Sequence, residues 1–347
     1  MKRLLVLAAV LCIAAGLLSG CTPASEPDGV VALLLPDKKT ARYETFDRPV
    51  FEERIAELGD YRVLYANADQ DAARQQQQAE SALAAGADVL VLDPVDARAA
   101  ITIVTAANAQ GIPVIAYDRM VAGGDIAFYI SFDNERVGEL QATSLLAALA
   151  ERGQSAGGIL MVNGSPTDSN AELFRAGARR IIDGSEVQVL AEYDTPDWSP
   201  DKAQSWVAGQ ISQYGDRIAG VYAANDGTAS GAIAALRAAA VAPMPIVTGQ
   251  DAELSALQRI VTGDQFMTVY KALRPQATLA AEAAVELLHG RPVDAEVDID
   301  GVPATLLTPV AVTVDDILDT VVADGFWTLA DICAPAYADA CAAAGLR

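Results

Sequence analysis

Residues 89–118 read VLVLDPVDARAAITIVTAANAQGIPVIAYD, and this stretch decides the fold. Two short runs of branched and aliphatic residues, Val89–Leu92 and Pro113–Tyr117, flank an Ala-rich helical stretch at Ala97–Gln110. Neither run alternates apolar with polar residues, as a half-exposed strand would. Both are therefore predicted to be strands buried on both faces. Strand, helix and strand in so little chain make one parallel crossover unit.

The unit recurs in both directions. Further strands are predicted at Val30–Leu35, Arg62–Ala66, Gly158–Val162, Gly220–Ala224 and Pro245–Thr248. Helices are predicted around Phe51–Leu58, Ala72–Ala85, Glu135–Glu151, Ala171–Ile182, Asp201–Gln213, Thr228–Ala239 and Leu254–Val261. One sheet holding all these units would be unusual, and two Rossmann-like lobes in tandem suit the length better. After Lys271 the pattern changes to a helix at Leu279–Leu288 and short segments at Glu296–Asp300, Leu306–Val312 and Val314–Val322. Such a tail can return to both lobes, and repeated crossing creates a hinge. The expected fold class is α/β, with two parallel-sheet lobes.

The ends of the chain speak to compartment. Lys2 and Arg3 precede an apolar run from Leu4 to Leu18, followed by Ser19 and Gly20. A basic flank, a short apolar segment and a small-residue exit predict a secretory signal peptide. The run is shorter than the about 20 residues a bilayer span needs. Leu18-Ser19-Gly20-Cys21 resembles the lipobox of bacterial lipoproteins, which implies a diacylglyceryl anchor on Cys21 and a membrane partner through it. Residues 22–29, TPASEPDG, read as a tether. Cys333 and Cys341 then remain, and an oxidising compartment suggests a disulfide. A continuous helix would hold them about 12 Å apart, beyond the about 7 Å limit between α-carbons. Pro335 supplies a break that permits the bond, and two free thiols are the other reading.

The net charge of −22, with no basic cluster, speaks against a nucleic-acid partner. No cofactor is expected. His289 is the single histidine and precedes Gly290 at a predicted helix end, so no metal site is expected either.

Ligands of open parallel sheets sit beyond the carboxyl ends of the strands. There the sequence places Asp37, Arg42 and Tyr43; Asp118 and Arg119; Asp168 and Asn170; Asn225 and Asp226; and Gln250 and Asp251. Trp198 stands in a Pro-rich loop with no evident core to fill. Carboxylates, amides and guanidinium groups match vicinal hydroxyls, and aromatic rings match the C–H faces of a pyranose. Each residue also has a plain structural reading: Asp37 and Asp226 as caps or loop formers, Asp118–Arg119 as an ion pair, Trp198 as a surface anchor. Taken together they indicate a polar ligand between two lobes.

The strings AYDRM (116–120), FYISFDNERVGELQA (128–142), GSPTDSNAELFRAG (164–177), AANDGTASGAIAAL (223–236), TGQDAEL (248–254) and TVYK (268–271) closely resemble D-xylose-binding proteins. These are type I periplasmic binding proteins of ABC transport systems, and the resemblance runs from about Val30 to Phe326. It implies two Rossmann-like lobes joined by a three-stranded hinge and closing over one pentopyranose. Its implied ligand contacts are Arg42, Tyr43, Asp118, Arg119, Asp168, Asn170, Trp198, Asn225, Asp251 and Lys271. Arg119 and Lys271 would donate, Asp118, Asp168 and Asp251 would accept, and both asparagines would do either. The implied partner is an ABC permease, and the protein is expected to act as a monomer. The expected divisions are 1–20 signal peptide, 21–29 lipidated tether, 30–135 plus 272–308 first lobe, 136–271 plus 309–330 second lobe, and 331–347 tail.

The stretch Asp37–Asp47 departs from the family, being one residue longer and carrying Tyr43 where tryptophan is usual. That leaves open which of Arg42, Tyr43 and Phe46 faces the sugar. The extension Trp327–Arg347 lies outside the resemblance. Competing readings are a binding protein for ribose, glucose or arabinose, a glycosidase using paired carboxylates, and a regulator of the same fold. The last is disfavoured by the signal peptide and the lack of a DNA-binding helix pair. No enzyme activity is expected.

Overall fold

The structure is a computed structural model and describes residues 27–346. The signal-peptide and Cys21 anchor expectations fall outside those residues. Strands β1 (Gly29–Leu35), β2 (Tyr61–Asn67), β3 (Val89–Leu92), β4 (Val114–Tyr117) and β5 (Phe128–Phe132) build the first sheet. Strands β6 (Gly158–Asn163), β7 (Gln188–Asp194), β8 (Ile218–Ala223) and β9 (Ile246–Val247) build the second, followed by β10 (Thr268–Tyr270). The chain closes with β11 (Val297–Ile299), β12 (Val302–Leu307) and β13 (Val310–Val312). The orders are β11-β12-β5-β4-β3-β1-β2 and β7-β6-β8-β9. All pairs are parallel except β11–β12 and the separate pair β10–β13. Backbone bonds from Phe266 to Val247 and from Val269 to Gly249 attach the β10 segment alongside β9.

The buried strands carry the period-two pattern of a two-sided sheet. Val31, Leu33 and Leu35 face the core under helices Arg48–Leu58 and Leu273–Leu288, while Ala32 and Leu34 face that under Ala72–Ala84 and Ile101–Asn108. Each fully buried leucine contributes about 1.5–3 kcal/mol by leaving water. In the second lobe, helices Asn134–Glu151 and Ser169–Ile182 touch backbone to backbone. A Cβ added at Gly177 would lie 1.9 Å from the Glu135 carbonyl oxygen.

The chain crosses between sheets three times: after β5, after β10, and between β12 and β13. Most predicted elements stand within a few residues of their expected ends. Three strands, β5, β7 and β10, escaped prediction, and β12 and β13 were read as the single segment Leu306–Val312. β5, FYISF, breaks its apolar run with a buried serine, and β7 is a half-exposed edge strand. The helix predicted at Ala97–Gln110 begins only at Ile101.

Cys333 and Cys341 are bonded, with α-carbons 5.8 Å apart. The chain breaks between helices Leu329–Ile332 and Ala338–Ala343, where Pro335 stands, and this lets it double back.

Candidate functional site

Between the sheets' carboxyl ends lies a small cavity. Arg42, Tyr43, Asp118, Arg119, Asp168, Asn170, Trp198, Asn225, Asp251 and Lys271 all line it, joined by Thr40, Phe174 and Gln250. A larger groove outside it, bordered by Asp96, Arg98, Glu172 and Arg175, shares Asp168 but keeps most of its charges in water.

The first-lobe wall is a charge network. Arg42 Nε and Nη2 donate to the two Asp47 oxygens at 2.9 and 2.8 Å, Nη1 to Asp118 Oδ1 at 2.8 Å, and Nη2 to Gln276 Oε1 at 2.7 Å. Those four bonds occupy four of its five N–H groups, so Arg42 mainly holds Asp118 in place. Arg119 Nε stands 2.8 Å from Asp168 Oδ2 and 3.5 Å from Asp93 Oδ1, and Nη2 donates to the Tyr43 hydroxyl at 3.1 Å. Both guanidinium groups lie within 6 Å of the Tyr43 ring. Phe46 lies outside the cavity lining and packs against Phe326 and Trp327. Of the three residues left open, Arg42 and Tyr43 face inward.

Burial alone would push the Asp118 carboxyl up, but Arg42, Lys271 and Arg119 together outweigh it and hold the carboxyl well below its ordinary range. For Asp168 and Asp93 burial wins over Arg119, and both carboxyls are raised. The same guanidinium therefore does not keep every acid beside it strongly ionised. Asp93 is fully buried at the end of β3, and neither carboxyl oxygen has a hydrogen-bond partner among the described residues. Sequence reasoning missed it, along with Asp47 and Gln276.

The second-lobe wall is built from helix starts and loops. Asp168 caps helix Ser169–Ile182 by accepting from Asn170 N at 2.9 Å, and its other oxygen accepts from Trp198 Nε1 at 2.9 Å. Trp198 is 6 % exposed and is no surface anchor. Its indole lies on Gly164, where an added Cβ would come within 2.0 Å of the ring. Asn225 caps helix Asp226–Ala238, accepting from Thr228 N at 2.8 Å. Asp226 is not the cap. It is a buried hub that accepts from Gln265, Thr268 and the Glu253 amide. Asp37 is a loop former, accepting from the amides of Lys39 and Thr40.

Asn170 Nδ2 crosses the lobes to the Asp118 carbonyl oxygen at 3.0 Å, and Lys271 Nζ stands 2.8 Å from Asp251 Oδ1. Asn170 Oδ1 and Gln250 Oε1 are buried with no partner among the described residues. Left-handed backbone, uncommon outside glycine, recurs at Asp118 (φ 59°), Trp198 (φ 52°) and Asp251 (φ 95°). Such strain concentrates where a site must be held open against local preference.

A cavity lined by paired acids and bases with aromatic faces and open amide oxygens can grip a small neutral molecule rich in hydroxyls. The periplasmic binding protein domain, as a family, matches residues 31–292. The chain is 37 % identical over 304 residues to the D-xylose-binding periplasmic protein of Escherichia coli, spanning 85 % of this chain and 90 % of that protein. It is 36 % identical over 313 residues to the D-xylose-binding periplasmic protein of Haemophilus influenzae, spanning 88 % and 92 %. An ABC transporter solute-binding protein from Clostridium phytofermentans, solved with bound β-D-glucose, matches with a TM-score of 0.81 at 27 % identity, over 87 % of this chain and 99 % of that one. On fold, cavity and shared sequence, this chain belongs to the type I periplasmic sugar-binding proteins.

Proposed function

We propose that the protein captures one monosaccharide, D-xylose before others, between its lobes and hands it to an ABC permease. Among the described residues the buried oxygens of Asn170 and Gln250 have no partner, and these two residues line the cavity together with Arg119 and Lys271, which carries this reading. Hydroxyls can satisfy both amide oxygens at once, and Trp198, Phe174 and Tyr43 offer apolar faces to a ring. The preference for xylose rests on the two relatives of that name. Residues 30–135 with 272–308 form one lobe and 136–271 with 309–330 the other. Contacts from both lobes to one sugar favour the closed state, whose surface the permease reads. The protein works as a monomer, exported by its signal peptide and held to the membrane through lipid on Cys21.

In the same proposal the protein is a carrier and no enzyme. Asp118 is tied to Arg42, Asp168 to Arg119 and Trp198, and Asp251 to Lys271, so each acid already has a holding partner. Calorimetric titration against a panel of pentoses and hexoses tests the reading. Binding is expected to be tightest for D-xylose. Heat with another sugar and none with xylose would reassign the ligand, and hydrolysis of an aryl xyloside lost in Asp118→Ala would restore the glycosidase.

A further inference from the structure

The segment from Phe326 to Leu346 joins neither sheet and lines no part of the cavity, yet it is firmly built. Its two short helices are tied by the Cys333–Cys341 bond, and Ile332, Cys341 and Leu346 are buried. They share an apolar cluster with Leu257, Ile260 and Val261 of helix Leu254–Thr262. Two polar contacts fasten the segment to the same lobe. Trp327 Nε1 donates to the Ala252 carbonyl oxygen at 3.0 Å, and Gln258 Nε2 donates to that of Asp331 at 3.2 Å.

From this base two aromatic rings meet the other lobe. Phe46 stacks on Phe326 with centroids 4.0 Å apart and planes 12° from parallel. It also meets Trp327 edge-on at 5.1 Å. Phe46 belongs to the turn Tyr43–Asp47, which runs into helix Arg48–Leu58 and so is part of the first lobe. Its neighbours in that turn are cavity parts: Tyr43 lines the wall, and Asp47 holds Arg42 by two hydrogen bonds.

We propose that Phe326 and Trp327, braced by the disulfide-bonded tail, are positioning residues that grip Phe46 and hold the Arg42–Tyr43 wall against the second lobe. Phe46 is the first lobe's only contribution to this aromatic cluster among the described residues, so lobe closure brings the three rings together. Aromatic pairs attract one another beyond what their buried area supplies. Because that energy belongs to the closed state, the grip slows release of a bound sugar without hindering its entry. The inference rests on the proposed sugar-binding cleft, and its test separates the two.

The test compares full-length wild type with Phe46→Ala, Trp327→Ala and the double variant, measuring D-xylose association and release by stopped-flow fluorescence. Each single change is expected to speed release about 3–10-fold and leave association within about twofold. The double variant is expected to add little, because both remove one shared contact. Phe46→Tyr should restore slow release. Unchanged release with a lower melting temperature would overturn the proposal and make the tail a prop for the second lobe alone. If Trp327→Ala fails to fold, Phe46→Ala decides, because Phe46 is half-buried and lies on the opposite lobe. A wild type that binds no D-xylose counts against the ligand assignment, and release of whichever pentose or hexose does bind then judges the grip. Faster release in Phe46→Ala supports it, and unchanged release overturns it.

Discussion

The two walls of the cavity are built on different principles. In the first lobe the strong groups bind one another: Arg42 is taken up by Asp47, Asp118 and Gln276, and Arg119 by Tyr43, the Pro94 carbonyl and nearby acids. In the second lobe the polar groups are half-used. Asn225 caps a helix with its oxygen, Gln250 donates to the Ala224 carbonyl oxygen with its nitrogen, and Asn170 donates across to Asp118. Each keeps its other end for the cavity. A locked ionic wall gives fixed direction, since its side chains gain nothing by moving. A wall of half-used amides gives the matched donors and acceptors that a ring of hydroxyls needs.

The largest expected effect tests the lock. Asp118→Ala takes one carboxylate from Arg42 and Lys271 in a buried site and leaves them only Asp47 and Asp251, and breaking a buried pair from one side costs up to about 3–5 kcal/mol. Urea unfolding should show that loss, and calorimetry should show affinity down by more than about 100-fold. An Asp118→Ala protein as stable as wild type would mean the first wall is not a network at all.

On the second wall, Trp198→Ala is expected to weaken sugar binding about 10–100-fold and, because the ring is buried in the core, to lower the thermal midpoint as well. Gly164→Val should do nearly the same without touching any ligand contact, because its side chain takes the place of the indole. Wild-type affinity in Trp198→Ala would take the ring out of the site. A Gly164→Val protein that binds normally would show that the ring tolerates displacement.

Asn225→Ser makes a finer cut. Serine keeps the helix cap, which is typically worth about 1 kcal/mol, but loses the amide nitrogen. Affinity is expected to fall about tenfold while stability holds, read by titration and melting of the same sample. Equal loss of both would mean Asn225 serves the helix and not the cavity.

The second wall was the more legible in sequence, and the reason is local. Asp168, Asn170, Trp198 and Asn225 follow strands and precede helices, where polar residues must either cap or face a ligand. The cap itself was misplaced by one residue: Asn225 and Asp226 can both cap, and only backbone geometry gave Asn225 the extended conformation. Much of the first wall's support could not be read. Asp47 and Gln276 look like ordinary helix-surface residues until the turn at Tyr43–Asp47 meets helix Leu273–Leu288, which comes from far along the chain. Asp93 precedes Pro94 at a strand end and reads as a loop residue, because full burial of an acid has no sequence signature. The aromatic stack of Phe46 on Phe326 joins segments from opposite ends of the fold, so neither ring announces the other.

The smallest effect is also the one that asks whether the first wall holds one kind of carboxylate or two. Asp93 and Asp118 stand near the same guanidinium groups but are shifted in opposite directions. Asp118 is depressed, so its contribution to stability is present above the unfolded value of about 3.9 and is lost as pH falls through the lower folded value. Asp93 is raised, first by burial and then by Asp118 and Asp168 against the pull of Arg119 and Arg42. Its contribution is full below about pH 4 and is lost as pH rises through the raised folded value. Asparagine imitates the protonated acid and still offers Arg119 an oxygen. Asp93→Asn should therefore match wild type below about pH 4 and overtake it as pH rises, by no more than about 1.4 kcal/mol per pH unit. Thermal melts of both proteins between pH 3 and pH 9 would trace the two curves. If Asp93→Asn is instead the less stable protein at about pH 8, Asp93 is an ionised partner of Arg119. The first wall would then be held by ionised carboxylates throughout, and its contrast with the amide-lined second wall would be complete.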